Sequence, residues 1–210
     1  LGRFGRRALF PDTTYGQDSG GDPDAIPTLT YEQFRTFHQT YYHPSNARIF
    51  FYGDDDADER LRLMDQYLEG YAKIDVPSQI DPQARFEEPR TLALPYDPGD
   101  GENQGKGMIA INWLLQRNGD VEQTLALNIL SHALLGTPGS PLRKALIDSG
   151  LGEDLAGEEF VEDMFEQTFS TGMRGVLVEN LDKVETLILE TLARLADEGI
   201  PPGAMEAAIN

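Results

Sequence analysis

Three histidines, no cysteine and 36 acidic residues are the raw material for chemistry in this chain of 210 residues. Without thiols, disulfides, iron–sulfur clusters and thiolate zinc sites are excluded, and any zinc site needs histidines and carboxylates at helical spacing. His38 and His43 stand five positions apart, which turns their side chains away from each other on a helix, and His43 directly precedes Pro44. Both read as structural positions. His132, within Leu130-Ser131-His132-Ala133, reads as a core or boundary histidine. Neither His-x-x-Glu-His nor His-Glu-x-x-His occurs. The expected metal-ligand set and the expected catalytic set are therefore both empty, and no substrate-binding residue is assigned.

Three other patterns imitate sites. Asp54, Asp56 and Asp58 alternate as in a calcium loop, but Glu59 stands where the obligatory glycine belongs and Asp65 where a bidentate glutamate is usual. The run reads instead as an acidic helix start that complements the helix dipole. The glycine-rich stretch Gly99 to Gly107 offers free amides and Lys106, as a phosphate cradle would. Only three residues separate Gly101 from Gly105, however, Gly107 follows the lysine, and a strand rather than a helix comes next. Ser140 and Ser149 lack any histidine and carboxylate pattern for nucleophilic attack.

The elements that must position these residues are well punctuated. Thr30 with Gln33 three residues on forms a capping box, Leu29 can staple onto Phe34, and Phe34, Phe37, His38, Tyr41 and Tyr42 follow at helical spacing up to Pro44. Ala47 to Tyr52 predicts a mostly buried strand, and Leu61, Met64, Leu68 and Tyr71 trace a helix face. Residues 72–90, broken by Pro77, Pro82 and Pro89, read as a connection. Beyond it the pattern predicts a short strand at Thr91–Leu94, a strand through Ile109, Ile111, Trp113 and Leu115, and a helix ending near Gly136. A second helix runs from Ser140 and Pro141 to Gly150, a strand over Phe169–Val178, and a long helix along Leu181, Val184, Ile188, Leu192 and Leu195. Strand-strand-helix-helix-strand-helix is an α+β order, with two-layer domains of antiparallel-type sheet and helices packed on one face.

Composition bounds the partners. Seventeen basic against 36 acidic residues leave a net charge of −19, which excludes a phosphate-gripping nucleic-acid surface and favours basic partners. Hydrophobic residues at 40% and charged ones at 25% suffice for a core. No apolar run is long enough for a membrane span. Leu1 in place of a Met, and a helical pattern still growing after Pro201 and Pro202 through Ile209, read as an internal fragment.

Longer motifs carry a resemblance. Leu-Phe-Pro-Asp-Thr-Thr-Tyr-Gly from Leu9, Ser-Gly-Gly-Asp-Pro from Ser19, Leu-Thr-Tyr-Glu-Gln-Phe from Leu29 and Tyr-Tyr-His-Pro-Ser-Asn-Ala-Arg-Ile-Phe-Phe-Tyr-Gly-Asp from Tyr41 resemble the presequence protease branch of the pitrilysin-type zinc metallopeptidases. Gly139 to Leu155 resembles the same branch. The resemblance implies four related α+β domains that close in two halves around a chamber where short unfolded peptides are degraded. Residues 1–72 would finish the first, catalytic-type domain, 73–90 would connect, and 91–210 would form most of a second, non-catalytic copy, a partial pitrilysin-like fold. The inverted zinc motif would lie upstream of Leu1, so zinc belongs to the parent enzyme and this stretch binds none. Short, basic peptides are the implied substrates, and the remaining domains of the parent chain are the implied partners. The setting would be a mitochondrion or chloroplast in a eukaryote, or a bacterium. Inactive scaffold subunits of the same fold are the alternative reading, and an acidic peptide-binding module acting alone is a third.

Overall fold

The computed structural model describes residues 1–99 and 105–209. Along the chain run α1 (Gly2–Leu9), α2 (Tyr31–Tyr41), α3 (Ala57–Leu68), β1 (Gly107–Arg117), α4 (Val121–Ser131), α5 (Pro141–Asp148), β2 (Asp154–Val161), β3 (Glu166–Val176), α6 (Leu181–Glu198) and α7 (Pro202–Ile209), with short 3-10 turns and a π turn at His132–Gly136. They form two compact units, Leu1–Asp18 with Asp81–Asn210, and Ser19–Ile80. This packing cuts the chain at other points than the sequence-based division into 1–72, 73–90 and 91–210, because α1 and the residues after it join the sheet unit.

In that unit the three strands are antiparallel in the order β1-β3-β2. Ile109, Ile111 and Trp113 stand opposite Met173, Thr171 and Phe169, so strand alternation places all six on one face. That face meets Leu134 and Leu135 of the π turn, Leu142 and Leu146 of α5, and Val184, Ile188 and Leu195 of α6. Leu142, Leu146, Met173, Val176, Val184 and Ile188 are wholly buried, each contributing about 1.5–3 kcal/mol by burial. The fold is the expected α+β layering of helices on an antiparallel sheet. One helix was not foreseen: α1 lies against the opposite face, where a β-carbon added to Gly5 would sit 3.1 Å from the Asn112 side chain.

Expected boundaries hold where the signals are local. Pro141 opens α5, Gly150 follows it at φ 64°, and Gly199 accepts the end of α6 at φ 84°. Ser140 occupies the N-cap position of α5, yet its hydroxyl turns back to accept from the Thr137 amide at 3.0 Å. The helix expected to reach Gly136 changes to a π turn after Ser131. Gly136 permits this, since any β-carbon there would run into the His132 imidazole.

β2 is an element the sequence pattern missed. Ala156 pairs with Gly172 and Glu159 with Ser170, so β2 carries one extra residue, a bulge with Gly157 at φ 110° and Glu159 at φ 55°. The extra residue destroys the two-residue alternation by which strands are read. It also presents Glu158 to α1, with the carboxylate 3.9 Å from Arg6 and the Glu158 amide donating to Ser170 Oγ at 2.6 Å.

In the smaller unit the capping box forms as read: the Gln33 amide donates to Thr30 Oγ1 at 3.2 Å and the Thr30 amide to Gln33 Oε1 at 2.8 Å. Asp56 caps α3 by accepting from the amides of Asp58 and Glu59 at 2.9 and 3.1 Å. The strand expected at Ala47–Tyr52 is a correction. These residues form no strand, and Phe50 and Tyr52 are 87% and 96% exposed. Strand propensity expresses fit to a pleated surface beside partners, and among the described residues none is offered. Thr91–Leu94 likewise stays outside the sheet.

Candidate functional site

The most elaborate polar site sits where β3 begins. The β1–β3 register breaks between Leu114 and Arg117, and the Arg85 guanidinium takes the carbonyls of Leu114, at 2.7 Å, and Leu115. Arg85 also lies 3.5 Å from one Glu166 oxygen, while the other accepts from the Gln83 amide at 2.7 Å. The Gln83 side chain in turn makes a reciprocal pair with Asp12: Nε2 donates to Asp12 Oδ2 at 2.6 Å, and Oε1 accepts from the Asp12 amide at 3.1 Å. Next to Glu166, the Phe165 amide donates to Tyr15 Oη at 3.0 Å. Gln83 and Glu166 are each only 3% exposed. One Glu166 oxygen thus faces the Arg85 guanidinium and the other accepts from the Gln83 amide, so this buried carboxylate ties three parts of the chain together. Sequence reading missed the cluster because its members come from three distant stretches, one of them taken for a linker.

The histidines do not come together. His38 stacks on Tyr42, ring centroids 4.8 Å apart, and His43 uses Nδ1 to accept from the Ser45 amide at 3.1 Å while meeting Tyr71 edge-on. His132 stands in the π turn, and its backbone carbonyl accepts from Ser140 Oγ at 3.3 Å. Ser149 Oγ donates to the Leu146 carbonyl at 2.6 Å. Neither serine has a histidine side chain or a carboxylate among these partners. In the acidic run, Asp55 pairs with Arg60 and Glu59 with Arg62, at 2.7 and 2.6 Å. Among the described residues no three His, Asp or Glu side chains converge as a metal would require. His43 Nδ1 is already committed to the Ser45 amide.

Of the glycine-rich stretch, residues 100–104 lie outside the described residues. Beside it is an open depression of about 430 Å³ lined by Tyr96, Lys106, Met108, Glu153, Asp154 and Arg174, among others. The Arg174 guanidinium donates to Asp154 Oδ2 at 2.7 Å. That bond first, and the Leu155 amide second, hold the Asp154 carboxyl below its ordinary range. The charges neutralise one another, and the lining offers no nucleophile paired with a base.

Residues 28–210 match the family described as the peptidase M16 inactive domain. The chain belongs to the M16 peptidase family. It is 49% identical to presequence protease 1, chloroplastic/mitochondrial, of Arabidopsis thaliana, over 100% of this chain and 20% of that protein. It is 34% identical to the protein HypA of Clostridium perfringens over 97% of this chain and 21% of that one, and 35% identical to the mitochondrial presequence protease of Xenopus laevis over 96% and 20%. The M16 chain thus spans about a fifth of the length of these curated relatives. Solved structures agree in fold. The peptidase M16 inactive domain from Pseudomonas fluorescens superposes with a TM-score of 0.72 at 18% identity, covering 99% of this chain and 48% of that one. A protease from Helicobacter pylori gives 0.62 at 19%, covering 98% and 53%. The resemblance read from the motifs is therefore correct at the level of family and fold, and two of these three curated relatives are presequence proteases. No helix among the described residues is long and apolar enough to cross a membrane.

Proposed function

We propose that this chain is a section of a zinc metalloendopeptidase that degrades targeting peptides and other short unstructured peptides, and that it supplies chamber wall without the active site. The supporting observation is the 49% identity to a presequence protease along the whole chain. In domain terms, this reading makes residues 1–72 the end of the first, catalytic-type domain, 73–90 a connection and 91–210 most of its non-catalytic copy. Zinc belongs to the parent enzyme. The chain's net charge of −19 suits basic peptides as substrates. An organelle or a bacterium is the setting, as for the relatives.

Metal analysis and peptide hydrolysis test the reading together. Residues 1–210 hold no stoichiometric zinc after dialysis and cleave no peptide, whereas the full-length parent holds zinc and does cleave. Tight zinc in the 210-residue chain, lost on His38→Ala or His43→Ala, refutes the assignment. A full-length parent without His-x-x-Glu-His, and without activity, points to the scaffold subunit instead.

A further inference from the structure

We infer that residues 81–210 carry a peptide-binding site whose ligand is the chain's own segment Leu1–Asp18, and that this site works in trans once the covalent connection is cut. The segment is separated in sequence from the body it joins by the whole Ser19–Ile80 unit, yet it packs with Asp81–Asn210. It is held at four separate places. Gly5 lies against Asn112, Arg6 is 3.9 Å from the Glu158 carboxylate, Asp12 forms its reciprocal pair with Gln83, and Tyr15 Oη accepts from the Phe165 amide.

The Asp12 contact has the form of peptide recognition. One buried amide side chain reads both the backbone N–H and the carboxylate of the same residue, so it selects a main chain in a set direction and an acidic side chain together. Its position is not adjustable. The Gln83 amide is fixed on Glu166, Glu166 faces Arg85, and Arg85 is fixed on two β1 carbonyls. A site anchored in this way loses little order on binding, which is what preorganisation requires. The bulge in β2 provides the second anchor by presenting Glu158 to Arg6. The ligand class is therefore a helix followed by a turn, carrying a basic residue in the helix, then an aspartate and a tyrosine three residues apart. The inference is independent of the protease reading and stands or falls without it.

The test begins with the intact chain, nicked by limited proteolysis between residues 19 and 80 and passed over a gel-filtration column. The amino-terminal fragment co-elutes with the fragment that contains the sheet. A fluorescent synthetic peptide with the sequence of residues 1–18 then exchanges into the nicked protein. Asp12→Ala in that peptide weakens exchange about tenfold and Tyr15→Phe about fivefold, the scale of one charge-assisted and one neutral hydrogen bond. Separate elution of the amino-terminal fragment overturns the inference, as does equal exchange by a scrambled peptide. In the intact chain, Tyr15→Phe speeds hydrogen exchange at the Phe165 amide about fivefold, and an unchanged rate there also overturns it.

Discussion

Gly172 offers the sharpest test of how the sheet is built. It stands in β3 opposite Ala110 on one side and Ala156 on the other. A β-carbon at this position would fall inside contact distance of the Ile109 carbonyl oxygen and 2.7 Å from Ala110 Cα. Both are backbone atoms of the neighbouring strand, so relief requires β1 and β3 to part. Overpacking of this kind costs about 1–3 kcal/mol, and each ladder hydrogen bond weakened beside it costs about 1 kcal/mol more. Against this, alanine returns about 0.4–1 kcal/mol by restricting the unfolded chain. Gly172→Ala is therefore destabilising by about 2–3 kcal/mol, a large share of the roughly 5–15 kcal/mol available to a domain. Trp113 is the only tryptophan, and its ring centroid lies 5.6 Å from that of Phe169 beside the core, so its fluorescence reports this unit alone. With a urea dependence of about 1–3 kcal/mol per molar, the midpoint falls by about 1 M or more. Gly203→Ala is the control. Nothing lies within 4 Å of its added β-carbon, and in a helix the change is neutral or stabilising by up to about 1 kcal/mol. A Gly172→Ala midpoint equal to that of the parent chain would refute the close-approach argument.

Limited proteolysis of the 210-residue chain cuts first between Tyr71 and Ile80, ahead of the pinned Gln83–Arg85 stretch; early cuts between Leu125 and Leu135 would show the core to be misplaced. Arg174→Ala raises the Asp154 titration toward its ordinary 3.8, observed by carboxyl NMR. Because the folded value is depressed, the pair's contribution is present above the unfolded value and lost as pH falls through the folded one, so the variant's stability loss disappears in acid. In the full-length parent, cleavage of a basic peptide falls with added salt more steeply than cleavage of a neutral one of equal length, since a chamber-wide field is screened beyond a Debye length of about 8 Å at 0.15 M. Identical salt slopes reduce the acidity to a solubility feature.

Legibility in the sequence followed the range of the interaction. The capping box at Thr30 and Gln33, the Pro141 start and the buried stripe Val184, Ile188 and Leu195 depend on residues within a turn or two of one another, and all three appear in the structure. β1 was readable because Ile109, Ile111 and Trp113 recur at every second position ahead of its register break. β2 was not, because a bulge shifts its phase midway. Strand character at Ala47–Tyr52 was a statement about a surface that would receive it, and no such surface is present among the described residues. The Asp12–Gln83–Glu166 cluster joins residues 71 and 83 positions apart, and no spacing rule reaches that far. The family itself was legible for a different reason: long motifs preserve ancestry even where local physics is ambiguous.

The irregular course of β2 has a consequence for the life of the protein in a crowded cell. Among the described residues β2 stands at one end of the order β1-β3-β2, and a straight strand in that place would invite a second molecule to zip onto it. The kink at Gly157–Glu159, with its left-handed glutamate, interrupts the run of evenly spaced donors and acceptors that a copy would need. Glu159 adds a like charge to any two such edges brought together, while the Glu158 carboxylate faces Arg6. The bulge that hid β2 from pattern reading thus also makes it a poorer template for strand addition than a straight strand would be.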